Sequence, residues 1–317
     1  MILIVALNPA LDVTHHVPGV DWSGVNRPTA VHARPGGKGL NVARTLRSIG
    51  AEILVVGLVG GVTGESVRSA LSELGVPAAF TPIAGETRRT FTVVDADRRH
   101  AALFNEPGPP VAPAEYAEFR VMYENALATS RAVVLSGSLP QCLSPGTYAE
   151  LSALATVAGV PTLLDAHGEA LLRGAAARPA IVKPNLAELE AFAGRRLSTP
   201  CGADKRAVAL AAQELRAAGP QAVVVSLGAD GLWAATDAGS WLAVPPAEVT
   251  GNPTGAGDAV AAGLVHGLVL GRPWEERLRH AVALGAASVS APVAGEFQHA
   301  DYADVLAGVA VNRAEAG

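Results

Sequence analysis

Cysteine is nearly absent from this chain: Cys142 and Cys201 are its two thiols, and their spacing matches no metal motif. Two such residues cannot build a disulfide framework, and they read as ordinary thiols in a reducing compartment. Aromatic residues are scarce, at 4%. Excess basic charge is missing as well, since 24 Lys and Arg stand against 29 Asp and Glu, a formal net charge of −5. That balance excludes the broad cationic surface that nucleic acid or anionic lipid requires, so a bound anion must be held by local donors. The longest apolar stretches, near 53–62 and 259–270, fall short of the roughly 20 residues that span a bilayer. The apolar start from Met1 to Leu7 lacks a positive flank and runs straight into Asn8-Pro9. No signal peptide is therefore expected, and the expected location is the cytoplasm.

Half of the 317 residues are hydrophobic, enough for a large core and too many for a disordered or collagen-like chain. Short, near-continuously apolar runs are expected as strands at Ile2–Leu7, Ile53–Val59, Ala132–Ser136, Pro161–Asp165, Ala180–Lys183 and Ala222–Ser226, which suits a sheet covered on both faces. Between them, Gly39–Ile49, Glu65–Leu74, Ala114–Ala128, Pro145–Ala158, Leu186–Phe192 and Asp204–Ala218 run from turn or cap residues to Gly or Pro and are expected as helices. The alternation predicts an α/β fold with a mostly parallel sheet between helical layers. Two segments, about 12–35 and 86–104, break the rhythm with short β-formers. They are expected to pair as antiparallel strands into a small lid with one wet face. The Ala-rich end from Ala300 to Gly317 is expected as a closing helix.

The strongest local signal is Asn252-Pro253-Thr254-Gly255-Ala256-Gly257-Asp258, followed by a helical run to Leu270. Glycines at a helix start let backbone N–H groups converge on an anion, aided by the positive helix end. Asp258, in the first helical turn, can cap the helix or take a proton from a hydroxyl nucleophile. Pro35-Gly36-Gly37-Lys38-Gly39-Leu40-Asn41 opens a second helix. It is neither a Walker A loop nor a dinucleotide fingerprint. It offers bare backbone, one cation and one amide, which suit a phosphorylated sugar, or it is a turn with a solvated lysine. Asp12 can grip sugar hydroxyls or stabilise a turn. Asn185 and Glu188 after Lys183 form a capping box or hold water on Mg²⁺. Ser226-Leu227-Gly228-Ala229-Asp230-Gly231 cradles a nucleotide or is a hairpin turn. The histidines show no zinc pattern, and no esterase elbow is present.

Taken together and in this order, Gly-Gly-Lys-Gly-x-Asn near the front and Gly-Ala-Gly-Asp near the back resemble the ribokinase-like (PfkB) carbohydrate kinases. Asn8-Pro9-Ala10-Leu11-Asp12, Gly24-Val25-Asn26-Arg27, Ser136-Gly137-Ser138-Leu139-Pro140, Asp165 and Lys183-Pro184-Asn185 resemble its hexose-phosphate branch, the match being closest to 1-phosphofructokinases and tagatose-6-phosphate kinases. The resemblance covers nearly the whole chain. It implies one ribokinase-like domain over 1–317, a three-layer α/β/α core, and a β lid that serves as a homodimer contact. It implies ATP and Mg²⁺ as co-substrate and metal, and a hexose monophosphate as acceptor, with fructose 1-phosphate first and tagatose 6-phosphate or fructose 6-phosphate as alternatives. A non-catalytic sugar-phosphate sensor is a further alternative, against which the retained Asp258 speaks.

Residue by residue, the resemblance makes Asp258 the catalytic base and Gly255, Ala256 and Gly257 the anion hole. Asp12, Gly36, Gly37 and Asn41 would bind the sugar, and Lys38, Arg27, Arg88 and Ser138 its existing phosphate. Lys183, Asn185 and Glu188 would lie near the nucleotide phosphates, with Asn185 and Glu188 meeting Mg²⁺ through water. Ser226, Gly228 and Gly231 would line the nucleotide groove. Ala102-Leu103 stands where several relatives carry polar residues near the substrate, which bears on sugar specificity.

Overall fold

The computed structural model describes residues 1–95, 100–291 and 293–314. In chain order its strands are β1 (Ile2–Ala6), β2 (Ala10–Val17), β3 (Ala30–Gly36), β4 (Ile53–Val59), β5 (Ala78–Pro82), β6 (Arg88–Asp95), β7 (His100–Asn105), β8 (Ala132–Ser136), β9 (Thr162–Asp165), β10 (Ile181–Val182), β11 (Ser198–Thr199), β12 (Gly202–Ala203), β13 (Ala222–Ser226), β14 (Leu232–Thr236), β15 (Gly239–Val244) and β16 (Ala310–Ala314). The helices are α1 (Lys38–Ser48), α2 (Gly61–Glu73), α3 (Pro113–Leu127), α4 (Thr147–Val157), α5 (Gly168–Ala176), α6 (Leu186–Ala193), α7 (Lys205–Ala217), α8 (Ala256–Val269), α9 (Trp274–Ser290) and α10 (His299–Gly308).

Ten strands form the central sheet in the order β5-β4-β1-β8-β9-β10-β13-β14-β15-β16. The seven from β5 to β13 are parallel, and the last three join by antiparallel pairing. β1 shows why its run is continuously apolar. Ile2, Ile4 and Ala6 pack into one core with α1, α2, α8 and α9, while Leu3 and Val5 pack into a second with α3, α4, α5 and α7. Side chains alternate across a strand, so a sheet covered on both faces has no polar positions to offer. The expected three-layer α/β/α arrangement is found.

β2, β3, β6 and β7 form the separate small sheet, in the order β3-β2-β6-β7. Its middle pair, β2 with β6, is parallel and not antiparallel as expected. The reason lies in the central sheet. β1 and β5 are parallel there, and each runs on at its carboxyl end into a small-sheet strand, so both strands leave in the same direction. The chain end also differs from expectation. Helix α10 stops at Gly308, and β16 then adds an edge strand to the sheet, with residues 315–317 outside the described part. Residues 96–99 of the second expected lid segment likewise lie outside it. Among the described residues no helix is long and apolar enough to cross a membrane. Cys142 and Cys201 are free and exposed.

Candidate active site

The carboxyl ends of β1, β8, β9 and β10 converge on the amino ends of α1 and α8. In an open α/β sheet this edge is where ligands bind. A cavity of about 150 Å³ opens there, lined by Asn8, Gly36, Gly37, Lys38, Arg88 and Ser138, with His167 on its rim. The small sheet supplies one wall. Ala10 at the base of β2 pairs with both Gly36 and Arg88, which brings those two residues together at the opening. Asn8 Nδ2 donates to Ser138 Oγ at 2.9 Å, and Arg88 Nε donates to the Asn8 carbonyl at 3.2 Å, so the wall is laced to the ends of β1 and β8.

Behind the cavity lies a buried charge cluster. Asp165, at the end of β9, is fully buried. Lys38 Nζ donates to its Oδ1 at 2.9 Å, and Lys183 Nζ stands 3.3 Å from its Oδ2. Burial would raise this carboxyl, but the two ammonium groups outweigh it and hold it below the usual carboxylate range. Burial likewise opposes the charge on Lys38, yet Asp165, Asp258 and Glu188 keep it protonated beyond the ordinary lysine range. Glu188 Oε1 is 3.9 Å from Lys38 Nζ.

Asp258 is 5% exposed in the first turn of α8. Its Oδ2 accepts from Asn41 Nδ2 at 2.7 Å. Burial, and next the neighbouring Asp165 charge, push it up to about 7 against the pull of Lys38, the Asn41 amide and Lys183. Gly255 precedes the helix with φ +86°, a conformation costly to any residue with a Cβ. Ala256 N–H is not free for an anion as expected, since it donates to the Pro253 carbonyl at 3.1 Å; Gly257 and Asp258 precede the Ala259-to-Gly255 bond, and their amides are the ones left to an anion. Lys183 Nζ lies 3.5 Å from where a Cβ on Gly257 would stand, which sets a cation beside those amides. Asp12 lies on β2, and its carboxylate accepts from Thr90 Oγ1. A Cβ on Gly36 would fall 1.9 Å from the Asp12 carboxyl carbon, so Gly36 is the space that Asp12 occupies.

Asp258, Asn41, Lys38, Lys183 and Glu188 are thus brought together, and Gly36, Gly37, Arg88 and Ser138 share the cavity wall. Arg27 is not among them. It is exposed on the connection between β2 and β3, beyond the His16–Ala30 pair at the far end of these strands from Ala10. Strand length carries it away: each residue of a β-strand advances about 3.3 Å. Asn185 and Glu188 form a complete capping box on α6, with Glu188 N–H donating to Asn185 Oδ1 and Asn185 N–H donating to Glu188 Oε2. Ser226, Gly228 and Gly231 lie on the short turn between β13 and antiparallel β14. A Cβ on Gly231 would fall 2.0 Å from the Ala243 carbonyl oxygen, so strand packing requires that glycine.

Among the described residues no three His, Cys, Asp or Glu side chains gather to hold a metal. Glu188 Oε1 faces the cluster, 3.9 Å from Lys38 Nζ, while its Oε2 accepts from Asn185 N–H. That donor set fits an ion brought in on a nucleotide triphosphate and keeping its own water, not a resident cage. Sequence reasoning did not single out Asn8, Arg44, Thr90 or His167 as site residues. Asn8 meets Ser138, Arg44 meets Ala294 and Thr90 meets Asp12, pairings between positions far apart in the chain.

An anion-binding helix start, a buried carboxylate and a cationic cavity are the parts of a phosphotransferase site. A model of the pfkB family carbohydrate kinases matches residues 6–300, and the chain belongs to that family. A 1-phosphofructokinase of Rhodobacter capsulatus is 39% identical over 288 residues, covering 90% of each chain. The 1-phosphofructokinase of Escherichia coli strain K12 is 34% identical over 307 residues, covering 96% of each. The crystal structure of a mutant of Escherichia coli phosphofructokinase-2 superposes with a TM-score of 0.89 at 30% identity, covering 96% of this chain and 98% of that one. The protein is a sugar kinase, a phosphotransferase with an alcohol group as acceptor.

The raised Asp258 carboxyl carries a consequence for stability. Between its ordinary value of 3.8 and about 7, the folded protein keeps a proton that the unfolded chain has lost. Its contribution is fully present below pH 4 and is lost as pH rises through 7. Asp258→Asn has no such proton to lose. The variant is therefore expected to gain stability over the wild type from pH 5 to pH 8, read as a growing difference in urea midpoints. A constant difference would place the carboxyl in an ordinary environment.

Proposed function

We propose that this kinase transfers the γ-phosphoryl group of ATP to the 6-hydroxyl of fructose 1-phosphate, giving fructose 1,6-bisphosphate and ADP, with Asp258 as general base. The observation that carries the reading is Asp258 itself, a buried carboxylate hydrogen-bonded by Asn41 and set in the first turn of an anion-binding helix. The cavity beside it is lined by Lys38 and Arg88, two cations set to meet a phosphate carried by the sugar. The names of the relatives that cover nine-tenths or more of the chain point to the same acceptor.

Asp12, Gly37 and Asn41 bind the sugar hydroxyls, while Lys38, Arg88 and Ser138 hold the phosphate already present. Asp258 takes the proton from the acceptor hydroxyl as its oxygen attacks the γ-phosphorus, and the bond to the β-phosphate oxygen breaks. The amides of Gly255 and Gly257, with Lys183, meet the negative charge on the moving group. Glu188 and Asn185 would meet Mg²⁺ through water, and the bound ion would offset charge on the triphosphate. Ser226, Gly228 and Gly231 line the nucleotide side. The small sheet acts as a lid that excludes water and so suppresses ATP hydrolysis. Trp22, Val25, Val31, Leu103 and Phe104 on that sheet and its loops are all at least half exposed. That much exposed apolar side chain suits a homodimer formed through the lid, with one kinase domain per chain.

Four outcomes are expected. ADP release coupled to NADH oxidation should give a higher kcat/KM with fructose 1-phosphate than with fructose 6-phosphate or tagatose 6-phosphate. A higher value with either of the others would reassign the acceptor. Asp258→Asn should lower kcat by about 10²–10⁴-fold, the usual worth of a general base. Because the carboxyl must be ionised to act, kcat/KM of the wild type should rise with pH through about 7. A fully active Asp258→Asn would remove that residue from the role. Sedimentation of the wild type should give a dimer, and Val31→Asp with Leu103→Asp should shift it toward monomer; unchanged association would locate the contact elsewhere.

A further inference from the structure

Arg44 stands on α1 one turn beyond Asn41, and no step above uses it. Its side chain is 7% exposed. A charge removed from water this far needs fixed partners. Its Nη2 donates to Asn41 Oδ1 and to the Ala294 carbonyl, each at 2.6 Å, while Nε and Nη1 are buried without a hydrogen-bond partner. Gly295 closes over the guanidinium, since a Cβ there would stand 3.0 Å from Arg44 Nε and from Asn41 Cα.

An asparagine amide has an accepting end and a donating end, and rotation by half a turn exchanges them. A guanidinium can only donate, so it accepts no other sense of the Asn41 amide than carbonyl inward. The NH₂ end is then forced toward Asp258, where it donates to Oδ2. The charged groups facing Asp258 are Asp165, Lys38 and Lys183, and those facing Arg44 are Glu296, Asp12, Arg34 and Asp258. Among the described residues none of these other than Asp258 is hydrogen-bonded to the Asn41 amide, so none of them sets its sense. The second bond of Nη2 holds Ala294, whose Cβ would stand 2.7 Å from a Cβ on Gly255.

We propose that Arg44 is a positioning residue: it orients the Asn41 amide so that Asp258 is held as a hydrogen-bond acceptor, and it seats the Ala294 segment against the Gly255 end of the anion site. This rests on Asp258 serving as the base. Without Arg44 the amide is free to turn its carbonyl toward Asp258. That arrangement favours a protonated carboxyl, which can donate to it, over a carboxylate, which cannot.

The test is the pH profile of kcat with saturating ATP and fructose 1-phosphate for R44M, R44K, R44Q, N41A and the double variants. R44K keeps a donor-only cation and should shift less than R44M; R44Q, whose amide can accept as well as donate, carries the test if R44M does not fold. Loss of Arg44 should move the acid limb upward by about one pH unit, the worth of one hydrogen bond to a charged group. Turnover at pH 7 should fall about fivefold and recover by pH 9, with KM for ATP unchanged. In the N41A background the Arg44 change should add no further shift. A profile lowered in parallel at every pH, or shifts that add in the double variants, would overturn the proposal. If D258N turns over at the wild-type rate, the base assignment falls and this proposal with it; if D258N is inactive and the Arg44 profiles are parallel, only the role of Arg44 fails.

Discussion

A carboxylate with no access to water, clasped between two ammonium groups, fixes the geometry of the functional edge. Asp165 comes from the end of β9, Lys38 from the start of α1 and Lys183 from the residue after β10. Each ion alone would be expensive to bury, and together they are tolerated because each satisfies the others. The result ties three separate crossover units to one point. Lys38 reaches from it to the cavity, and Lys183 reaches from it to the first turn of α8. Asp258 sits close enough to feel the negative charge of Asp165, which helps lift it toward neutrality. Two carboxylates a short way apart are thereby driven in opposite directions, one held ionised and the other poised to exchange a proton.

Much of the fold was legible because burial on both faces leaves a plain signature. The runs at β1, β4, β8, β9, β10 and β13 are apolar at nearly every position, and all six were expected. The strands that escaped notice are the outer ones. β14 and β15 carry Ala234, Ala235 and Ala243, residues with little β preference, and they exist because β13 offers them an edge. β5 ends on Pro82, which only an outer strand tolerates, and β16 closes the other side. Helix α5 begins at Gly168 and contains Gly174, so its propensity is weak; packing of Leu171 and Ala175 holds it in place. The direction of the β2–β6 pairing could not come from either segment alone, since it is inherited from the parallel order of β1 and β5.

The candidate site divides the same way. Lys38, Asn41, Gly255 and Asp258 stand at helix starts, where residue type and spacing are informative by themselves. What the chain does not display is who pairs with whom. Asn41 and Asp258 are separated by 217 positions, and Lys38 and Asp165 by 127. Arg44 shows the limit most plainly. On a helix it looks like any solvated arginine, and only the approach of Ala294 and Gly295 turns it into a buried fork. Arg27 stands at the other extreme. Its motif suggested a place beside Lys38, but strand geometry delivers it to the far end of the small sheet.

The shared root of that small sheet has a mechanical meaning. Gly36 and Arg88 flank Ala10 in one ladder, while Ser138 and His167 belong to the ends of the central sheet. Asn41 and Asp258 both stand on helices seated against that larger body. A tilt of the ladder about Ala10 would therefore swing two jaws of the pocket as a single lever, widening or narrowing the grip on a substrate's anionic end. The Asn41–Asp258 pair would stay at a constant separation throughout, so the opening of the pocket and the geometry at its base belong to different parts of the molecule.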